Sequence, residues 1–123
     1  MSITDQFKGF WPFEVRRLSD ESGKLSLDLL DESDNAITVT FDHYLVYRKI
    51  DEGNALKSLP TLKAAVDRRI WIYNVPDSAF LEWFYEESYD IRRGEDLKHY
   101  AVITSNDIVD VISPSPPTCK ITQ

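Results

Sequence analysis

The sequence has one cysteine, four glycines and no long apolar run, and each shortage excludes a class of protein. Because Cys119 has no internal partner for a disulfide, the fold must depend on a packed core, which 123 residues can supply. None of the glycines stands in a GxGxxG or GxxxxGKS/T pattern, so no loop is predicted to bind a nucleotide phosphate. No run reaches the ~18 apolar residues of a spanning helix, and the start does not resemble a signal peptide. We expect a cytoplasmic protein without a membrane partner.

Positive charge is also scarce, with 14 basic against 21 acidic side chains and a formal net charge of −7. A surface of this sign repels a phosphate backbone, so we expect no nucleic-acid partner. The two histidines, His43 and His99, lack the HxH or HxxxH spacing of a metal site, and we expect neither a metal nor a cofactor. The simpler prediction is that each is half-buried and hydrogen-bonded. The sequence contains neither a nucleophile elbow nor a papain-like thiol context, so it does not indicate an enzyme of these classes.

Alternation of apolar and polar residues dominates the first half of the chain and is typical of half-buried strands. It covers 11–18, 25–29 and 37–47, with polar turns between them. The last run predicts either one bent strand or two strands separated near Asp42. Since the segments are adjacent and joined by short turns, we predict an antiparallel meander with its odd-numbered side chains on the core.

The second half mixes helix and strand patterns. In chain order we predict short helical turns, an interior strand apolar on both faces, an amphipathic helix and two further strands, at 55–67, 69–75, 79–90, 97–104 and 108–113. The helix is expected to bury Phe80, Leu81, Phe84 and Ile91 against the sheet. This order predicts a single α+β domain over residues 1–112, with a mostly antiparallel sheet and a late amphipathic helix packed on it. Residues 113–123 are rich in proline and predict an extended tail.

The predicted helix also carries the most distinctive surface feature of the sequence. Its outer face combines acidic and aromatic residues, and aromatic residues are enriched in protein interfaces. These residues are Glu82, Trp83, Tyr85, Glu86, Tyr89 and Asp90. We predict that they bind a protein partner with a basic surface. A solvated helix face without a partner is the alternative for the same residues.

The last third of the chain contains three distinctive segments, FLEWFYEES at 80–88, LKHYAVIT at 97–104 and NDIVDVI at 106–112. In these segments the chain resembles small uncharacterised bacterial proteins, some of which are immunity partners of secreted toxins. Proteins of that kind are small, cytosolic, often acidic and free of catalytic machinery, and the resemblance implies the same here. It assigns no site residue.

Three functional hypotheses remain. The first is a non-enzymatic acidic protein-binding module, including an immunity-type inhibitor whose charge speeds association with a basic toxin. The second is a small-molecule-binding or enzyme-like domain with a pocket between the late helix and the sheet. Its predicted lining is His43, Trp71, Tyr73 and His99. The third is a structural module that forms a homodimer through a sheet edge.

Overall fold

A computed structural model describes residues 3–7, 9–54 and 59–122 of the chain. In spatial order, sheet A consists of β1 (Glu14–Glu21), β2 (Lys24–Leu30), β3 (Ala36–Phe41) and β8 (Thr118–Thr122). Sheet B consists of β4 (Val46–Asp51), β7 (Asp107–Ser113), β6 (Lys98–Ile103) and β5 (Ile72–Asn74). The helices are α1 (Leu59–Asp67) and α2 (Ala79–Glu87), and short 3-10 turns cover Ile3–Phe7 and Glu52–Asn54. All neighbouring strands are antiparallel, and the predicted α+β fold is confirmed.

The core lies mainly between the two sheets. On sheet A it is formed by alternate side chains of β2 and β3, where Leu25, Leu27 and Phe41 are fully buried. The register pairs Leu27 with Val39, so the apolar sets of both strands share one face, as the alternation predicted. The hairpin between β1 and β2 is closed by a two-residue loop with positive φ at both positions, the backbone that right-twisted strands require.

Sheet B is covered on both faces. Tyr100, Val102, Val109 and Val111 pack toward sheet A. On the opposite face, α1 packs over Ala101 and Ile108, whereas α2 packs over Ile112. The molecule therefore has three layers: sheet A, sheet B and the helices.

The structure settles one open prediction about the strands and contradicts another. The alternation over 37–47 belongs to two strands, because the chain leaves sheet A after Phe41 and enters sheet B at Val46. The run 69–75 forms the edge strand β5, and the interior positions belong to β6 and β7. An apolar pattern on both faces indicates that a strand is covered above and below, but it does not indicate the order of strands in the sheet.

The proline-rich segment is not an extended tail. Its last residues form β8, which pairs with β3 and places Cys119 opposite Val39. The prolines precede this strand, so they remove none of its ladder hydrogen bonds. Sheet A is thus completed by residues that composition alone predicted to lie outside the fold.

The helices also differ from prediction at their ends. The structure begins α1 at Leu59 and accommodates Pro60 in its first turn, where a missing N–H costs no hydrogen bond. The helical turn predicted at 55–58 lies outside the described residues. Helix α2 ends at Glu87 instead of Asp90, which leaves Ile91 exposed by 81% instead of buried. Among the described residues, no helix is long and apolar enough to cross a membrane.

Candidate functional site

Helix α2 is positioned by its N-cap residue and by the tight turn that precedes this residue. Val75, the last residue hydrogen-bonded along β6, is followed by Pro76 and by Asp77 at a φ of 49°. Ser78 is the N-cap, and its Oγ accepts the Leu81 N–H at 2.9 Å. A strand, a turn and a capped helix thus present the Ser78 hydroxyl at the N-terminus of α2.

A buried line of polar side chains connects this cap to sheet B. Ser78 Oγ lies 2.6 Å from His99 Nδ1, and His99 Nε2 lies 2.6 Å from Asp110 Oδ1. The other carboxylate oxygen, Oδ2, accepts Arg48 Nε at 2.9 Å. The side chains of His99 and Asp110 are only 6% and 5% exposed, so this network lies between α2 and the sheet. His99 was predicted to be a half-buried, hydrogen-bonded side chain, and the structure buries it further.

Charge within the network decides which histidine nitrogen carries the proton. Burial raises the pKa of Asp110, but the hydrogen bonds from His99 and Arg48 and the positive charge of Arg48 outweigh this effect and hold that pKa below its ordinary value. An ionised carboxylate only accepts hydrogen bonds, so His99 Nε2 must donate. In a neutral imidazole, Nδ1 then accepts from the Ser78 hydroxyl.

Aromatic contacts cover the network on its outer side. The Arg48 guanidinium carbon lies 4.0 Å from the centre of the Phe80 ring, and the edge of His99 contacts the same ring at 5.3 Å between centroids. Trp83 stacks on Phe80 with ring planes 7° apart, and 46% of Trp83 remains exposed. Phe80 is therefore the buried contact between the network and the solvent-facing side of α2.

The C-terminal end of α2 forms a Schellman motif with an unusual residue. Asp90 N–H donates to Tyr85 O and Tyr89 N–H donates to Glu86 O, which are the two hydrogen bonds of that motif. The residue directly after the C-cap is Tyr89, at a φ of 52° where glycine is usual, and Asp90 after it also has a positive φ of 60°. Tyr89 is nevertheless 90% exposed, so no packing of its ring compensates for the strained backbone.

The acidic and aromatic residues predicted to bind a partner lie close to this end of the helix, but several are engaged by one arginine. Arg93 pairs with Glu82 at 2.8 Å and with Asp90 at 2.7 Å, and its guanidinium carbon lies 4.8 Å from the ring centre of Tyr85. The hydrogen bond from Arg93 lowers the pKa of Glu82. Glu86 is exposed and forms no ion pair with a described residue.

We define the α2 surface as the six predicted residues together with Glu87 and Ile91. Residues 77–96 carry seven acidic and two basic side chains, a net −5 of the −7 on the whole chain. Residues 20–34 carry another net −5, so acidity alone does not distinguish the α2 surface. What distinguishes it is the exposed apolar area: Trp83, Tyr89 and Ile91 are three of the five large hydrophobic residues exposed in the described part of the chain.

The alternative pocket does not form from its four predicted residues. Trp71 is buried between the two sheets, where its ring lies 5.3 Å from that of Phe10. Tyr73 packs in the cluster under α1, and His99 lies under α2. His43, predicted to be half-buried, is exposed in the turn between β3 and β4. The alternation of apolar and polar residues indicates which face of its strand a side chain lies on. It does not indicate which neighbouring layer packs against that face.

Two clefts that the sequence did not indicate adjoin Trp11 and Arg69. The polar cleft, about 330 Å³, is bordered by Asp31 and Glu32, and the more apolar one, about 260 Å³, by Leu62. The Arg69 guanidinium carbon lies 4.6 Å from the Trp11 ring centre, and both residues line both clefts. Their residues come from distant parts of the chain, so no local motif marks them.

The single thiol of the chain is partly buried and poorly reactive. Burial raises the pKa of the Cys119 thiol to about 11, so this thiol is protonated and weakly nucleophilic at neutral pH. Within residues 3–7, 9–54 and 59–122, no group of three or more His, Cys, Asp or Glu side chains is arranged to hold a metal ion.

Comparison with protein-family models, with curated proteins and with solved structures finds no match.

Proposed function

We propose that the chain is an acidic protein-binding module whose α2 surface binds a partner with a basic face. The observation that carries this proposal is Tyr89, an almost fully exposed aromatic ring at a backbone position that favours glycine. A bulky residue at positive φ without packing does not stabilise the fold. Tyrosine and tryptophan are the residue types enriched in interface hot spots.

Charge supports a basic partner over a neutral one. Glu86 and Glu87 are exposed beside Tyr89 without ion pairs to described residues, so a partner's lysine or arginine side chains can pair with them. An immunity-type inhibitor of a basic toxin is one form that this function takes, and the resemblance in the last third of the chain supports it.

The test compares two charge-reversal variants of equal net charge. The double variant Glu86→Lys, Glu87→Lys changes unpaired residues of the α2 surface, while Glu82 is left unchanged because it pairs with Arg93. The control, Glu21→Lys with Glu32→Lys, makes the same change in exposed residues of the other acidic segment.

Each immobilised variant is incubated with lysate of the native cell, and the retained proteins are identified by mass spectrometry. We expect a basic protein to be retained by the wild type and by the control but lost from the α2 variant. Retention of the same proteins by all three would contradict the proposal. A homodimer would instead appear as self-association of the purified wild type in analytical ultracentrifugation.

A second candidate function, binding of a small molecule, is supported by the clefts beside Trp11 and Arg69. A ligand with both charged and apolar parts fits a polar cleft and an apolar cleft that share a cation–π wall. Native mass spectrometry of the purified chain tests it. A co-purified small molecule that is lost from the Arg69→Ala variant would favour this function.

A further inference from the structure

We propose that Ser78 is an activated nucleophile for acyl transfer, with His99 as its general base and Asp110 as the residue that orients His99. This goes beyond protein binding by the α2 surface and stands independently of it. The sequence gives no motif for such a site, because the three residues belong to the cap of α2, to β6 and to β7.

Hydrogen-bond polarity gives Ser78 the partner that a nucleophile needs. Asp110 accepts from His99 Nε2, which leaves the lone pair of Nδ1 directed at the Ser78 hydroxyl at 2.6 Å. The roles of the two ring nitrogens are exchanged relative to the common serine hydrolases, but either nitrogen of a neutral imidazole can accept the proton. The essential requirement is that the nitrogen opposite the nucleophile donates to a fixed carboxylate, and it does.

The N-terminus of α2 supplies stabilisation for the negative charge that develops. Leu81 N–H already donates to Ser78 Oγ, which favours the alkoxide over the alcohol. The amides of Ala79 and Phe80, in the first turn, have no partner among the described residues. They are available to donate to the oxyanion of a substrate carbonyl attacked at Ser78.

The surroundings indicate the class of substrate. Ser78 is partly exposed at the protein surface, whereas the side chain of His99 beneath it is only 6% exposed. Arg48, whose side chain is 51% exposed, places a guanidinium next to the network and beside Phe80. Guanidinium binds carboxylate, so we assign a small acyl ester that carries a carboxylate.

The reaction is a hydrolysis in two steps. Ser78 Oγ attacks the ester carbonyl, its proton moves to His99 Nδ1, and the bond from carbon to the leaving oxygen breaks as that oxygen takes the proton. Water then attacks the acyl-serine, gives a proton to His99, and Oγ recovers that proton when the acyl bond breaks. The products are a carboxylic acid and an alcohol, and no other reactant is required.

The experiment uses a fluorophosphonate probe, which forms an adduct with activated serines, followed by peptide mass spectrometry. We expect an adduct on Ser78 of the wild type and none in Ser78→Asn, which retains an N-capping side chain. His99→Gln is expected to slow labelling at least ~100-fold, the usual contribution of a general base. Circular dichroism checks that each variant is folded. If His99→Gln does not fold, the labelling of Ser78→Asn alone decides the site.

Two outcomes would overturn the proposal. The first is a folded wild-type chain that gives no adduct or an adduct at a residue other than Ser78, because the network would then only cap α2. The second outcome concerns the substrate class. The test compares the hydrolysis rate of a neutral ester, p-nitrophenyl acetate, with that of an ester that carries a carboxylate, mono-p-nitrophenyl succinate. We expect faster hydrolysis of the anionic ester, and equal rates would overturn the role of Arg48 in binding a carboxylate.

Discussion

At the scale of single residues, Phe80 connects α2 to sheet B more than any other side chain of the helix. It is 6% exposed and contacts Arg48, His99 and Trp83. We expect Phe80→Ala to lower the free energy of unfolding by about 3 to 5 kcal/mol, because a large buried ring leaves a cavity. Urea unfolding followed by circular dichroism measures this loss.

Phe84 provides the matched comparison on the same helix. It is only partly buried, so Phe84→Ala is expected to lower the free energy of unfolding by clearly less than Phe80→Ala. Equal losses at both positions would show that α2 packs through its whole inner face. Helical periodicity predicted that both residues face the sheet, but it did not rank their burial.

Asp110 gives a residue-scale prediction about pH. Its pKa is below the ordinary value in the folded chain, so it contributes stability above pH ~4 and loses it as pH falls through the folded pKa. Asp110→Asn is expected to cost about 3 to 5 kcal/mol at pH 7, since it leaves His99 and Arg48 without their buried partner. The difference in unfolding free energy between wild type and variant should shrink when both are measured at pH 3. A difference that grows toward low pH would contradict the assignment of an ionised Asp110.

At the scale of elements, the end of α2 predicts a trade-off between stability and partner binding. Replacing Tyr89 by glycine removes the left-handed strain at position 89 and is expected to raise the free energy of unfolding by about 1 kcal/mol. The same change removes the exposed ring and, under the proposed function, weakens partner binding. Thermal unfolding and a binding assay on one variant measure both effects.

Tyr89→Ala separates the two causes. Alanine retains the strain of a Cβ at positive φ but lacks the ring, so we expect weaker binding without the gain in stability. If Tyr89→Gly bound the partner as well as the wild type does, the ring would have no part in binding. If neither variant changed stability, the backbone at this turn would not be strained.

The elements also show how far the sequence can predict this fold. Alternation located β2 and β3 because one face of each is buried and the other is solvated, as in KLSLDLL at 24–30 and its partner strand. It could not predict the end of α2, because the stop is a tyrosine in a position where sequence rules expect glycine. It also missed β8, whose pairing partner β3 lies some 80 residues away in the chain.

The candidate sites differ in the same way. Helical periodicity correctly indicated that Glu82, Trp83 and Glu86 are exposed, because exposure on a helix follows from local spacing. The contact of Ser78 with His99 depends on how α2 lies on sheet B, which no local pattern encodes. One signal was present: Asp110 is a polar residue with two apolar residues on each side along its strand, and His99 is followed by an apolar run on its own strand.

At the scale of the whole molecule, net charge predicts the kinetics of binding. With a formal charge of −7, the chain should associate with a basic partner faster at low ionic strength than at ~0.15 M salt. We expect salt to lower the association rate constant much more than it raises the dissociation rate constant. Surface plasmon resonance at several salt concentrations measures both, and an association rate independent of salt would contradict electrostatic attraction.

The layered position of sheet B has a consequence for the exchange of backbone amides with deuterated solvent. Strands β6 and β7 have hydrogen-bonded neighbours on both sides and are covered by sheet A on one face and helices on the other. Their amides have no local opening that reaches water, so they should exchange only when the whole chain unfolds. The edge strands β1 and β8 can separate on their own and should exchange earlier. The slowest amides of β6 and β7 therefore report the global unfolding free energy directly, without any denaturant.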